Sequence, residues 1–270
     1  MKQRLVSSIV GVILLAMILN LYDTLVLTIA LALLSGAAVY EILIPTKFLY
    51  VREGGMFCAF YAGISLIFVR ENISIYHISL VIFWCMLIAC KLIFHQKFSF
   101  IQMCICLFTV TFISYSFGTV LMLGTGREGW IYLLLACIGA WVTDSAAYII
   151  GKLYGKRKIT SYISPNKTLE GVIGGLVVAA IIFPMVCYSY WRTVMPGIHF
   201  IFRNAFIVGV ICACAGILGD LFASAIKREA GIKDFGNLIP GHGGIMDRFD
   251  SFLFTAPVLY YLLEILPIYE

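Results

Sequence analysis

A polytopic, all-α membrane bundle of about nine transmembrane helices, N-terminus cytoplasmic and C-terminus outside, is the fold this sequence predicts. Three observations lead there. Of 270 residues, 62% are hydrophobic and 12% charged, against roughly 45–50% and about 25% in soluble globular chains. Apolar runs recur at the length that crosses a bilayer, about 20 residues at roughly 1.5 Å rise each. The basic residues, finally, fall on alternate loops, as the positive-inside rule requires.

The runs lie near 5–22, 24–44, 56–70, 75–94, 98–123, 130–150, 171–191, 205–226 and 251–267. The third is short, and the turn around Asp23 between the first two is tight. On the N-terminal side lie Lys2, Arg4, Lys47, Arg52, Lys91 and Lys97, then Lys152, Lys156, Arg157, Lys158 and Lys167, then Lys227, Arg228, Lys233 and Arg248. Arg70, Arg127, Arg192 and Arg203 face the other side. The formal net charge of +5 thus reports topology and contact with anionic membrane lipids, and carries no nucleic-acid signal. Met-Lys-Gln-Arg at the start resembles a secretory signal, but the run behind it is long and lacks a small-residue cleavage site. Nine cysteines sit in apolar stretches with no C-x-x-C pair and read as small apolar filler.

Two halves carry unequal information. Up to about residue 128 the chain is span after span with short loops, and Glu41 and Lys91 read as snorkelling side chains near span ends. Beyond it, the loops 151–170 and 227–250 hold most of the polar content, and residues 220–250 contain four of the six aspartates. Asp144 precedes Lys152 by eight residues and Asp220 precedes Lys227 by seven. Both carboxylates should therefore lie roughly 10–12 Å below the basic loops. Two acids at matched depth predict one shared polar cavity open to the cytoplasm, because ionisable groups within spans are costly and serve function. Asp220, Ser224 and Lys227 form one stripe at i, i+4, i+7, as do Asp144, Tyr148 and Gly151.

Asp247 and Asp250, at i and i+3, share a face at the entry to the last span. With Asp220 they supply hard oxygen ligands of the kind Mg²⁺ takes, alongside waters and substrate phosphates. A lone pair of this spacing would read as a helix N-terminal cap. Pro240-Gly-His-Gly-Gly244 is a chain reversal with freedom for positive φ, and successive N–H groups in such a turn can cradle an anion. Ser164-Pro-Asn166-Lys167-Thr168-Leu-Glu170-Gly171 offers Lys167 as a phosphate ligand, with Thr168 and Glu170 at the start of the next helix. The Lys156–Lys158 run reads as a solvated, lipid-facing patch, with steering of a polyphosphate as the alternative.

Ser224-x-x-Lys227-Arg228-x(4)-Lys233-Asp234, followed by Pro240-Gly-His-Gly-Gly244-x-x-Asp247-Arg248-x-Asp250, resembles the signature of the phosphatidate cytidylyltransferases, also called CDP-diacylglycerol synthases. Asp144-x-x-Ala147-Tyr148-x-x-Gly151-Lys152 and the Ser164–Gly171 run are similar to that family's earlier motifs. The resemblance implies transfer of the cytidylyl group of CTP to phosphatidate with Mg²⁺, at a multi-pass protein of the cell's inner membrane whose active site faces the cytoplasm. It implies Asp220 and Asp247 as metal ligands supported by Asp250, Lys227 and Arg228 on phosphates, and Asp144 in the same polar site. Ser164, Asn166, Lys167, Ser224, Lys233, Asp234, His242, Gly243, Gly244 and Arg248 become candidates for substrate contact. In this reading 129–270 is the catalytic region, and 1–128 a scaffold open to lipid or homodimer contacts. The alternatives are another CTP-using lipid phosphotransferase or kinase, or an ion-coupled transporter using Asp144 and Asp220.

Overall fold

The structure is a computed structural model and describes residues 20–49, 52–160, 162–194, 197–239 and 243–269. The expected first span therefore lies almost wholly outside the described residues, as does His242. Among the described residues, seven helices are long and apolar enough to cross a membrane. They are α1 (Leu25–Leu43), α2 (Arg52–Glu71), α3 (Ile73–Ile93), α4 (Phe100–Leu123), α5 (Gly129–Tyr154), α6 (Leu169–Val194) and α7 (Phe202–Glu229). An eighth, α8 (Met246–Ile265), is as long but opens on Met-Asp-Arg-Phe-Asp. Large apolar side chains such as Leu33, Phe60, Leu92 and Ile101 stand exposed along these helices. Exposure on that scale needs lipid around it, and the chain is a multi-pass membrane protein. The third span is not short: α2 runs over 20 residues, because Arg52, Glu53 and the two glycines that follow form its first turn.

The chain divides into two compact units. The first holds the described residues up to Thr125 together with Glu229–Arg248. Here α2 packs on α1, α3 and α4, with α4 also against α1 and α3. Caps fix where three of these helices begin: Thr24 and Asn72 accept from Val26 and Ser74 N–H, and Ser99 forms a capping box with Gln102. Small residues let α1 and α2 approach closely. A Cβ added at Gly36 would sit 3.0 Å from the Ala59 carbonyl oxygen, and one at Gly63 3.0 Å from that of Ala32. Buried hydroxyls are satisfied across helices, as in Ser35 to the Ala62 carbonyl at 3.1 Å and Tyr76 with Ser114 at 3.1 Å. The apolar core comprises Leu27, Val39, Leu66, Phe83, Ile113 and Phe117, among others.

The second unit holds Gly126–Arg228 and Phe249–Glu270. A π-helical turn at Ile138–Val142 interrupts α5. No pattern of 3.6-residue spacing predicts such a turn, and single π turns often sit beside functional residues. Asp144 lies two residues beyond it. Between α5 and α6 the chain forms a feature the sequence reading did not anticipate, a short antiparallel hairpin of β1 (Lys158–Thr160) and β2 (Ser164–Thr168), with Lys158 opposite Thr168 and Thr160 opposite Ser164. Its exit is fixed as expected: Thr168 Oγ1 accepts from Gly171 N–H at 3.2 Å, and Glu170 accepts from Lys156 and Arg157 N–H at 3.0 and 3.1 Å. Helix α6 then lies tight on α5, where a Cβ at Gly171 would come within 2.5 Å of the Ala147 carbonyl oxygen. All nine cysteines are free thiols.

Candidate active site

Polar groups collect at one place in the second unit. Asp144 Oδ2 accepts a hydrogen bond from Ser251 Oγ at 2.5 Å, which joins α5 to α8. Asp144 Oδ1 is buried without a hydrogen-bond partner among the described residues. Asp220, from α7, pairs with Lys167 Nζ of the β2 strand at 2.5 Å, with side chains 28% and 14% exposed. Asp250 is 8% exposed, receives the Ser251 N–H at 2.8 Å, and lies within electrostatic reach of Asp220, Asp144 and Lys227. Lys167 acts on Asp144 as well. The expectation that Asp144 and Asp220 share one polar region is met, and Asp250 belongs to it. Three mutually repelling carboxylates held among two lysines are costly to assemble in an apolar bundle.

The surrounding residues follow the helix geometry. Ser224, one turn below Asp220, is buried, and Lys227 is half-buried on the same stripe. Arg228 donates from Nε to the Ile163 carbonyl at 3.3 Å, tying the end of α7 to the hairpin. Ser164 is half-buried and Asn166 exposed. Tyr148, placed on the Asp144 stripe by spacing, is exposed, whereas Gly151 packs on Thr168 and Gly171. The helix ends at Tyr154, and Gly155 continues in extended backbone.

The first unit holds Asp247 and the loop that precedes α8. Asp247 Oδ2 accepts from Phe235 N–H at 2.8 Å and Gly244 N–H at 3.0 Å, closing the loop before α8 on itself. Gly243 has φ +84, a conformation that favours glycine, and its carbonyl receives the Ile239 N–H at 2.9 Å. Lys233, Asp234 and Arg248 are exposed. Sequence reasoning misplaced Glu41, which does not snorkel. It is 2% exposed, and its two carboxylate oxygens accept from Ile245 N–H at 3.0 Å and Met246 N–H at 2.9 Å. The N–H groups of a helix start, with their partial positive charge, offer a buried carboxylate a strong partner. Of the Pro240–Gly244 run expected to cradle an anion, residues 240–242 lie outside the described residues, and Gly244 N–H donates to Asp247. Ser251 was also missed, although a hydroxyl directly after Asp250 in the signature run was a signal in plain sight.

Among the described residues, no three His, Cys, Asp or Glu side chains gather closely enough to cage a metal. Mg²⁺ seldom has such a cage; it takes one or two carboxylates and completes its octahedron with waters and substrate phosphates. The partnerless, buried Asp144 oxygen and the clustered hard oxygen donors fit that mode of binding.

Apolar spans around buried carboxylates and lysines define a membrane protein with a charged site within its bundle. The description "Cytidylyltransferase family" matches residues 2–266, and the chain belongs to that family. It is accordingly a nucleotidyltransferase, which sets the transporter alternative aside. Similar proteins include the phosphatidate cytidylyltransferases of Staphylococcus saprophyticus, 34% identical over 268 residues and covering 97% of this chain and 99% of the relative, and of Staphylococcus aureus strain COL, 34% identical over 270 residues with the same coverage. That of Staphylococcus epidermidis strain ATCC 12228 is 40% identical over 168 residues, 62% of each chain.

Proposed function

We propose that this enzyme transfers the cytidylyl group of CTP to phosphatidate, forming CDP-diacylglycerol and pyrophosphate on the cytoplasmic side of the cell membrane. The observation that carries the reading is the match to relatives of that activity along almost the whole chain. In the reaction a phosphate oxygen of the lipid forms a bond to the α-phosphorus of CTP. The bond from that phosphorus to the bridging oxygen breaks, and the electron pair leaves with pyrophosphate. Lipid phosphate is already ionised near neutral pH, so the nucleophile needs no general base.

Both reactants are anionic, and the protein's task is to orient them and offset their charge. Lys227, Arg228 and Lys167 are assigned to phosphate oxygens, Lys167 exchanging between Asp220 and substrate. Ser164, Asn166, Ser224, Lys233, Asp234, His242, Gly243, Gly244 and Arg248 are assigned to substrate contact. Asp220 and Asp247 are each assigned as Mg²⁺ ligands with Asp250 in support, and Asp144 is assigned to the polar site that Asp220 and Asp250 share. The ion, when bound, offsets phosphate charge and favours in-line displacement. Ser251 fixes the Asp144 carboxylate by its hydrogen bond.

The test separates this transfer from that of a CTP-using lipid kinase. Purified protein is incubated with phosphatidate, Mg²⁺ and CTP labelled in the α- or the γ-phosphate. Label from the α position should enter the lipid phase, and label from the γ position should appear in pyrophosphate. Lipid carrying γ label, or none from either, would refute the assignment.

A further inference from the structure

We propose that Glu41, in the half of the chain without signature motifs, is a positioning residue for the loop that presents Asp247. The inference rests on the assignment of Asp247 to the cytidylyltransfer site. A carboxylate 2% exposed is costly to bury unless strong donors meet it. Glu41 meets two, the N–H groups of Ile245 and Met246 at 3.0 and 2.9 Å. These belong to the start of α8, where the helix offers N–H groups without internal partners and partial positive charge. Glu41 thus caps α8 from 204 residues away in the sequence.

The contact is shaped on both sides. A Cβ at Gly236 or at Gly244 would overlap the Glu41 carboxylate. The second glycine of the Gly243–Gly244 pair is therefore explained by space for Glu41, whereas the first serves the positive φ of the turn. Consecutive N–H groups are shared between two acids: Gly244 donates to Asp247, and Ile245 and Met246 donate to Glu41. Moving the Glu41 carboxylate shifts the backbone that fixes the Asp247 side chain. Groups that orient a metal ligand from behind typically change affinity or activity 10–100-fold when removed.

Two readouts test this on the full-length protein in lipid nanodiscs, using Glu41→Ala and Glu41→Gln. Hydrogen–deuterium exchange of peptides covering 243–249 should quicken in Glu41→Ala. It should quicken less in Glu41→Gln, which keeps one acceptor oxygen. The Mg²⁺ concentration for half-maximal turnover should rise about tenfold or more in Glu41→Ala, with a smaller rise in Glu41→Gln. A residue that only stabilised the fold would lower the melting temperature and leave that concentration unchanged. Unchanged exchange and an unchanged Mg²⁺ requirement would overturn the proposal. Should Glu41→Ala fail to fold, Glu41→Gln decides it by both measures. If the wild type forms no CDP-lipid, the assigned reaction fails, and the exchange experiment still decides whether Glu41 holds the loop.

Discussion

Replacing Lys167 by Met should destabilise the protein chiefly through the acid it leaves behind. Lys167 Nζ lies 2.5 Å from Asp220, with side chains 14% and 28% exposed. Removing one partner of a fully buried pair costs about 3–5 kcal/mol, and an exposed pair contributes about 0–1. Partial exposure places this pair between those limits, and we expect a loss of about 1–3 kcal/mol. Repulsion from Asp144 and Asp250, which Lys167 no longer offsets, pushes the value upward. At about 2–4 °C per kcal/mol, the melting temperature should fall by about 2–12 °C. Fluorogenic thiol labelling follows the melt, because Cys58, Cys106, Cys187 and Cys212 are buried and become reactive only on unfolding. Asp220→Asn removes the need for a counterion. The double variant Lys167→Met/Asp220→Asn should therefore be more stable than the sum of the single effects implies, with a coupling of about 1 kcal/mol or more. Additive effects, or a Lys167→Met protein that melts like the wild type, would show that the pair does no structural work.

Other consequences are open to direct measurement. Asp220→Asn and Asp247→Asn should each abolish Mg²⁺-dependent cytidylyltransfer while the protein still inserts and melts cooperatively; full turnover in either removes it from the metal assignment. Chelation with EDTA should stop turnover and added Mg²⁺ restore it, and activity that survives chelation would refute the cation requirement. Ser251→Ala removes the donor to Asp144 and should cost about 1–3 kcal/mol in stability, since it leaves a buried acceptor unmet; a change within about 0.5 kcal/mol would mean the hydrogen bond carries little. Gly171→Ala should cost about 1–3 kcal/mol through a clash with backbone, because its Cβ would lie 2.5 Å from the Ala147 carbonyl oxygen; an unaltered melt would show that α5 and α6 can part.

Composition, span length and the distribution of Lys and Arg were enough to indicate a helical membrane bundle, because the bilayer imposes one solution on backbone hydrogen bonding. The pairing of Asp144 with Asp220 was legible too, since each sits a fixed number of residues before a basic loop. What lay beyond reach depended on partners distant in sequence. Nothing near Glu41 announces Ile245 and Met246, and nothing near Lys167 distinguishes an ion pair with Asp220 from a ligand awaiting phosphate. The π turn at Ile138–Val142 escaped because an apolar run carries no mark of an extra residue in one turn. The hairpin escaped for a different reason: its strands, of three and five residues, are too short for a two-residue alternation to emerge.

Binding of Mn²⁺, a hard octahedral substitute for Mg²⁺, measured by electron paramagnetic resonance with CTP present and phosphatidate withheld, tests most directly whether these acids gather a cation for nucleotide chemistry. Wild-type protein should hold Mn²⁺ in a CTP-dependent manner, and Asp220→Asn should weaken that binding about tenfold or more. Equal Mn²⁺ affinity in the two proteins would contradict the account.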